Sequence, residues 1–346
     1  MEALLLKPFI LFVLAYLYFR KWMNGGSLSK VNRADGKTVI ITGASNDIGK
    51  ETAIGMAERG AKVIMACRDV AEGEIVRSMI IKKTKNTNVR VMHLDLASFQ
   101  SIRKFAKTFL KEEERLDILI NNESVMGIGR TLTEDGLEMH MGVNHFGHFL
   151  LTVLLIGPLQ KSTPSRIITV SHWGNLWVRF NKNDVNSEKS YNRFNAFLQS
   201  KLANELFTVE LAERLAGSGI SINSVHPGFF RSDTGSGSGS LVTVMWRIIR
   251  DILSAIFLRT AKSGAQNTLF AALDFNLEYT SGAFLSNFRF STTNPDANNP
   301  ELRSWFWDYS EKVTGIEFPK NTWIPDEYNL NACKKREAIL NQHGVY

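Results

Sequence analysis

Cysteine is scarce in this chain. Only Cys67 and Cys333 occur in 346 residues. So distant a pair gives neither a disulfide framework nor the spacing of a metal site, and it suits a reducing compartment. The net charge of +7 is scattered, and no element carries the basic stripe that nucleic-acid binding would need. The sequence therefore predicts no metal and no nucleic-acid partner, and a weak attraction to an anionic membrane face is the simpler use of its charge.

Long apolar runs are equally scarce, and the one that stands out opens the chain. Residues 3–19 are apolar except for Lys7, and Arg20 and Lys21 follow directly. A helix of this length spans about 25 Å, near the short limit for a membrane crossing. The basic pair follows the run and no cleavage site is evident, so residues 1–23 are predicted to be a retained anchor with the domain facing the cytosol. Because the run is short, an interfacial or buried helix is the alternative.

Beyond a linker over residues 24–37, short apolar strands alternate with helical patterns. This βαβ rhythm predicts a doubly wound parallel sheet of the Rossmann type, an α/β fold, over residues 38–320. A polar tail follows over residues 321–346. The predicted strands are Thr38–Thr42, Lys62–Cys67, Val89–Leu94, Asp117–Asn121, Arg166–Ser171 and Ile220–Val225. The predicted helices are Ile48–Arg59, Ala71–Lys83, Ser98–Glu114 and a stretch containing Phe149–Leu159.

The first strand runs into a glycine turn, Thr42-Gly43-Ala44-Ser45-Asn46-Asp47-Ile48-Gly49. A glycine turn between a strand and a helix brings backbone N–H groups and the helix dipole against a pyrophosphate. Arg68 follows the second strand, where an arginine favours the 2′-phosphate of NADP over a free ribose hydroxyl. Taken alone, Arg68 could equally be a solvated surface charge.

Several stretches resemble the retinol dehydrogenase branch of the short-chain dehydrogenases/reductases. They are Gly49-Lys50-Glu51-Thr52-Ala53, Leu94-Asp95-Leu96, Val143-Asn144-His145-Phe146-Gly147-His148-Phe149-Leu150-Leu151-Thr152, Ser200-Lys201-Leu202-Ala203-Asn204 and His226-Pro227-Gly228. The resemblance covers residues 36 to 320. It implies a cofactor site at Gly43, Ser45, Asn46, Ile48, Gly49, Arg68, Asp95, Leu96, Asn121, Lys201, Pro227 and Gly228, with Asp95 near the adenine and Pro227-Gly228 near the nicotinamide.

The resemblance also implies a catalytic Asn, Ser, Tyr and Lys. Asn144 and Lys201 match the Asn and the Lys. The Tyr position, four residues before the lysine, is Phe197, and the Ser position is His172. The family's Tyr moves the proton of the substrate oxygen, and its ordinary pKa near 10 must be lowered by the nearby lysine. With Phe in its place the packing survives and the proton donor is lost.

Three nearby side chains are candidate replacements for the missing groups. Ser171 precedes the Ser position and should point to the opposite face of the strand. Tyr191 is out of phase with Lys201 on the predicted helix. His172 could be a passive residue that fills the cleft, or it could act as a substitute proton donor because imidazole titrates near neutrality.

Two residues in the predicted cofactor cleft differ from those that the family has there. Asp47 stands where the family usually has glycine, and Glu123 stands where it has a small residue. Each adds a side chain and a negative charge close to the expected phosphates, against the helix dipole. NADP(H) is therefore the expected cofactor if any binds, and Asp47 and Glu123 argue against its binding.

A flexible Gly-Ser repeat over residues 235–240 introduces an apolar helical pattern, and together they form a predicted lid over about 235–258. This helical pattern is compatible both with packing against the core and with a mobile cover over a lipophilic ligand.

The sequence leaves two functions open. The first is a binding protein on a cytosol-facing membrane, expected to be the endoplasmic reticulum, with little or no turnover. The second is an NADP(H)-dependent oxidoreductase acting on a lipophilic alcohol or aldehyde such as a retinoid. The sequence points to no particular protein partner.

Overall fold

The computed structural model describes residue 16 and residues 26–29, 31–228 and 259–319. The predicted anchor lies outside these ranges apart from residue 16, and the predicted lid and tail lie outside them entirely. The expectations about these three segments stay predictions. Within the described ranges, no helix has both the length and the apolar character that a membrane crossing requires.

Within the described part of the chain, eight strands form a single sheet. They are β1 (Thr38–Thr42), β2 (Lys62–Cys67), β3 (Val89–His93), β4 (Ile118–Asn121), β5 (Ser165–Val170), β6 (Ile220–His226), β7 (Phe284–Ser286) and β8 (Arg289–Ser291). Their order is β3-β2-β1-β4-β5-β6-β7-β8, parallel throughout except for β8, which is antiparallel to β7. The predicted doubly wound sheet is confirmed. Its order reverses between β1 and β4, and such a reversal opens a ligand crevice at the carboxyl ends of the strands.

The helices cover both faces of this sheet. They are α1 (Asp47–Glu58), α2 (Val70–Thr84), α3 (Phe99–Glu112), α4 (Met139–Met141), α5 (His148–Leu154), α6 (Ile156–Lys161), α7 (Arg193–Arg214), α8 (Ala261–Leu273) and α9 (Pro300–Thr314). A π-helical turn, Gly142–Gly147, joins α4 to α5. Short 3₁₀ helices occur at Trp173–Trp177, Phe275–Leu277 and Pro295–Asn298.

Strand β1 shows why the sheet needs helices on both sides. Its five residues are all buried. Ile40 belongs to the apolar cluster that contains Phe105 of α3, whereas Val39 and Ile41 belong to the cluster that contains Met56 of α1. Successive side chains of a strand point to opposite faces, so a continuous apolar run fills two layers. Each fully buried side chain of this kind contributes about 1.5–3 kcal/mol.

The predicted boundaries differ from the observed ones mainly where caps and breaks decide them. The helix predicted over Ser98–Glu114 spans Phe99–Glu112, because Ser98 is its N-cap and accepts from the backbone N–H of Ser101 at 3.4 Å. The stretch containing Phe149–Leu159 is not one helix. It breaks at Leu155, where the backbone leaves the helical region, and α6 begins at the next residue.

Candidate active site

The glycine turn lies where the sequence placed it, between β1 and α1. Gly43 has a φ of +64°. A Cβ on Gly49 would collide with the carbonyl oxygen of Gly43, so only glycine allows this close approach. Asp47 has a φ of +40°, in the left-handed region that favours glycine. The turn therefore keeps a glycine-type backbone at position 47 while carrying a carboxylate there.

Glu123 brings a second carboxyl into the same turn. The backbone N–H groups of Asn122 and Glu123 both donate to Oγ1 of Thr42, at 2.8 and 2.9 Å. This clamp holds Glu123 over Gly43. A Cβ added to Gly43 would collide with Oε2 of Glu123 and would lie 3.1 Å from its Cα. The Glu123 carboxyl thus fills the space that the glycine leaves open.

The charge of Glu123 is linked to both sides of the site. Burial raises the pKa of the Glu123 carboxyl, and the positive charges of Arg68 and Lys201 oppose that shift. Burial lowers the pKa of Lys201 to about 7, and the charge of Glu123 opposes that change in turn. The carboxyl is therefore within electrostatic reach of the cation at the end of β2 and of the buried lysine on α7.

A cleft of about 360 Å³ lies beside this turn, at the carboxyl ends of β1, β2 and β3. Among the predicted cofactor residues, Gly43, Ser45, Asn46, Arg68, Asp95 and Leu96 line it. The others, Ile48, Gly49, Asn121, Lys201, Pro227 and Gly228, lie outside its described lining. The predicted cofactor residues at the carboxyl ends of β1–β3 therefore share one cleft, whereas those on α1 beyond the turn, on β4, after β6 and on α7 do not line it.

Three of the residues that do not line the cleft contact other parts of the chain. Nδ2 of Asn121 donates to Oγ1 of Thr152 at 2.9 Å. Gly228 has a φ of +90°, and a Cβ there would come within 2.8 Å of the Arg259 side chain. Ile48 is buried and packs next to Gly264. Their predicted contacts with a cofactor stay predictions.

Asn144 lies in the π-helical turn and is fully buried. Its side chain accepts from the backbone N–H of Val125 at 2.8 Å and donates to the Val125 carbonyl at 3.0 Å. It also donates to Oγ of Ser200 at 2.9 Å. Asn144 therefore fastens the loop after β4 to helix α7, which carries Lys201.

Lys201 and Phe197 lie one turn apart on α7, and both are buried. Nζ of Lys201 lies 5.6 Å from the centroid of the Phe197 ring and donates to the carbonyl of Val170 at 3.0 Å. The position predicted for the general acid thus holds a ring without a hydroxyl next to an ammonium group. This arrangement provides a positive charge but no phenol whose proton it could release.

His172 packs edge-on against Phe197, with the ring centroids 5.5 Å apart. Its Nδ1 accepts from the backbone N–H of Gly174 at 3.0 Å. Burial, and then the charge of Lys201, lower the pKa of His172 to about 4. The ring is therefore neutral at pH 7 with its proton on Nε2, a state that can donate a hydrogen bond but is a poor general acid.

Neither of the other replacements occupies the Tyr position. Oγ of Ser171 donates to the carbonyl of Lys201 at 3.0 Å, so this hydroxyl is engaged with the backbone of α7. Tyr191 precedes α7, and its hydroxyl donates to the carbonyl of Ile128 at 2.8 Å.

Two residues that the sequence did not single out also shape the site. His226 ends β6, and its ring centroid lies 5.1 Å from that of His172. Glu205 lies one turn beyond Lys201, accepts from the side chain of Asn175 and from the backbone N–H of Asn294, and has its pKa raised to about 7 by burial. The spacing of Lys201 and Glu205 on one helix face was the available signal for Glu205.

The chain also resembles known proteins. The family model of the short chain dehydrogenases matches residues 37–240. This chain belongs to that family. Human Retinol dehydrogenase 11 is 44% identical over 313 residues, which is 90% of this chain and 96% of the relative. Human Retinol dehydrogenase 13 is 39% identical over 306 residues, 88% of this chain and 92% of the relative. The resemblance to the retinol dehydrogenase branch is confirmed.

Solved structures agree with the fold. An uncharacterized protein of Mycobacterium paratuberculosis has a TM-score of 0.67 and 33% identity, over 85% of this chain and 100% of its own. RhlG of Pseudomonas aeruginosa, solved with NADP, has a TM-score of 0.59 and 21% identity, over 75% of this chain and 97% of its own. At the lower identity the likeness shows the fold alone.

The fold implies a nicotinamide dinucleotide, and the residues present can be tested against it. A dinucleotide needs the open space beside the first glycine of the turn, because its phosphates approach the backbone there. In this chain the Glu123 carboxyl fills that space above Gly43. The adenosine side of the cleft is open, whereas its continuation towards Lys201 does not fit the dinucleotide with Glu123 in this position.

Proposed function

We propose that this chain is a short-chain dehydrogenase homologue with little or no hydride-transfer activity, acting as a membrane-associated binding protein for a small lipophilic molecule. The observation that carries the proposal is the Phe197 ring beside Lys201, with 5.6 Å between the ring centroid and Nζ. General acid–base catalysis typically contributes 10²–10⁴-fold to a rate. A ring without a hydroxyl contributes none of it.

The other positions support the same reading. His172, at the Ser position, has a pKa lowered to about 4 by burial, so it does not supply a proton at neutral pH. Glu123 places a carboxyl where the dinucleotide would approach Gly43. Changes at three separate points of the reaction path are more consistent with lost turnover than with a single tolerated substitution.

The proposal of a lipophilic ligand and of a membrane setting is supported by exposed aromatic side chains. Trp177 is exposed at 63%, and Trp173 packs edge-on against it. Aromatic side chains of this kind favour membrane–water interfaces and apolar ligands. Together with the N-terminal anchor expected from the sequence, they support a place on the cytosolic face of a membrane, with the endoplasmic reticulum as our proposal.

A second candidate is a working NADP(H)-dependent oxidoreductase on a lipophilic alcohol or aldehyde such as a retinoid. Its support is the position of His172, 5.5 Å from the Phe197 ring with its proton on Nε2, where it could polarise a substrate carbonyl while water supplies the proton. The names of the relatives, retinol dehydrogenases, favour the same substrate class.

Turnover by the purified full-length chain separates the two candidates. We expect no oxidation of NADPH above background with retinaldehyde, and no reduction of NADP with retinol. Measurable turnover that His172→Ala abolishes would contradict the proposal and establish the oxidoreductase. A matched His93→Ala variant, altered at an exposed histidine that ends β3, controls for the general effect of losing an imidazole.

A further inference from the structure

We infer that the cleft at the carboxyl ends of β1–β3 is a site for a single nucleotide, and that Glu123 ends it before the second half of a dinucleotide can enter. The inference deepens the proposed function and rests on it, since turnover would require the whole dinucleotide to reach Lys201. It turns on Gly43 and Glu123, because the space that the glycine leaves open is filled by the carboxyl.

The cleft has the size and the walls for one nucleotide. Its volume of about 360 Å³ lies at the small end of the range for ligand sites, which is about 300–1,000 Å³. Ala66, Leu94 and Leu96 provide apolar surface at the ends of β2 and β3, which suits the faces of a planar base. Asp95 lines the same space and can accept from sugar hydroxyls or base N–H groups.

Arg68 fixes where a phosphate would go. It is the one cation among the described residues that line the cleft, and it follows β2 at the sheet edge. An arginine at this point of a Rossmann-type sheet accommodates a phosphate on the ribose 2′-oxygen. Asp69, Glu72, Asp95, Glu123 and Glu134 also line the cleft. With five carboxyl groups against one guanidinium, further phosphates would meet repulsion that Arg68 does not offset.

Glu123 lines this space next to Gly43. Burial raises the pKa of its carboxyl, and the charges of Arg68, which lines the cleft, and of Lys201, which does not, oppose that rise. The backbone of Glu123 is fixed, because its N–H and that of Asn122 both donate to Oγ1 of Thr42. The described lining of the cleft includes Glu123 but not Lys201, Phe197 or His172. A ligand that fills the cleft therefore stops short of the position where a hydride would be transferred.

The test compares adenosine 2′-monophosphate with NADPH, which contains the same group and adds the nicotinamide half. For the purified full-length chain, isothermal titration calorimetry should show that NADPH binds no more tightly than the mononucleotide, because the added half gains no contacts and its phosphates meet the carboxylates of the cleft. In Glu123→Ala, NADPH should bind at least about tenfold more tightly while the mononucleotide changes by less than about twofold.

Three further variants sharpen the test. Glu134→Ala removes an exposed carboxylate from the same cleft without opening Gly43, and should leave the ratio of the two constants unchanged. Glu123→Gln keeps the bulk without the charge, so a small gain in NADPH affinity points to steric exclusion and a large gain to repulsion. Arg68→Met should weaken the mononucleotide about tenfold, since one charge-assisted contact is lost.

Two results would overturn the inference. One is the absence of mononucleotide binding by the unaltered chain. The other is NADPH binding at least about tenfold more tightly than the mononucleotide with Glu123 in place. Turnover with NADPH and retinaldehyde is a separate readout, and it would contradict the proposed function. If the mononucleotide fails to bind and turnover is also absent, only the single-nucleotide site is lost. A melting temperature recorded for each variant shows that it is folded.

Discussion

Nζ of Lys201 lies 5.6 Å from the centroid of the Phe197 ring, and both side chains are buried. Burial lowers the pKa of this lysine to about 7. A positive charge over the face of an aromatic ring is attracted by the ring quadrupole, but only weakly over Phe at this distance. The pair therefore keeps the lysine and the packing of a hydride-transfer site while lacking its exchangeable proton.

Restoring the proton donor should restore chemistry. In a Glu123→Ala background, which opens the dinucleotide path, Phe197→Tyr with His172→Ser is expected to raise NADPH-dependent reduction of retinaldehyde by at least about 100-fold. The reason is that a phenol next to Lys201 gains a lowered pKa and a serine can polarise the carbonyl. The measurement is the initial rate of NADPH oxidation against the Glu123→Ala parent.

Phe194→Tyr in the same background is the matched control. It adds the same hydroxyl to the same helix, at an exposed position away from Lys201. It should leave the rate at the level of the parent. If the revertant and this control have equal rates, the loss of the phenol is not what limits the chain.

Lys201 should also make stability depend on pH. Its pKa is about 7 in the folded chain and about 10.4 in an unfolded one. Between these values the unfolded chain holds a proton that the folded chain lacks, so stability rises with pH; below pH 7 both states are charged and the penalty is constant. Lys201→Met should therefore be more stable than the parent at pH 6, by on the order of 2 kcal/mol, with the difference shrinking towards pH 9.5.

Urea unfolding at pH 6, 8 and 9.5 measures this difference. Lys107→Met, which removes an exposed lysine of α3, should show no such trend. A Lys201→Met variant that is less stable by the same amount at every pH would mean that the bond from Nζ to the Val170 carbonyl outweighs the cost of burying the charge.

Much of this fold follows from the sequence because its strands are continuous apolar runs. Val39, Ile40 and Ile41 must be buried on both faces, which requires a parallel sheet between two helical layers. The β7–β8 hairpin was not predicted, since three-residue strands such as Phe284–Ser286 show too few alternations to be recognised. Their pairing depends on contacts with β6 that are distant in sequence.

The candidate site also has features that could be predicted from the sequence and features that could not. Phe197 and His172 could be assigned from spacing, because the matching residues on either side leave no room for a shift. The bulk and charge that Glu123 adds to the cofactor cleft could be expected from the sequence, but not the position of its carboxyl above Gly43. It depends on Thr42, whose hydroxyl accepts two backbone N–H groups from a loop that is 80 residues further along the chain. No local pattern contains that information.

Glu205 gives a pH dependence of the opposite sign. Burial raises its pKa to about 7, against about 4.3 in an unfolded chain. Between these values the folded chain holds the extra proton, so stability falls as pH rises from about 4.3 to 7 and then levels off. Glu205→Gln does not titrate. It should be less stable than the parent at pH 5 by about 1 kcal/mol, because an amide cannot accept from both Asn175 and Asn294.

By pH 8 that deficit should shrink or reverse, since the parent alone carries the cost of a buried carboxylate, on the order of 1–3 kcal/mol. Thermal unfolding of both proteins at pH 5, 6, 7 and 8 tests the trend. A difference that stays constant over this range would show that Glu205 is already ionised in the folded chain at pH 5.

Substitutions of Asp47 can distinguish the cost of backbone strain from the effect of charge in the glycine turn. Its φ of +40° costs an L-residue on the order of 1 kcal/mol, while a carboxylate in the first turn of α1 returns about 0.3–1 kcal/mol through the helix dipole. Asp47→Ala keeps the strain and loses the charge, whereas Asp47→Gly relieves the strain. We expect Asp47→Gly to be more stable than Asp47→Ala by about 1 kcal/mol in urea unfolding and close to the parent. Equal stability of the two variants would mean that position 47 is not under backbone strain.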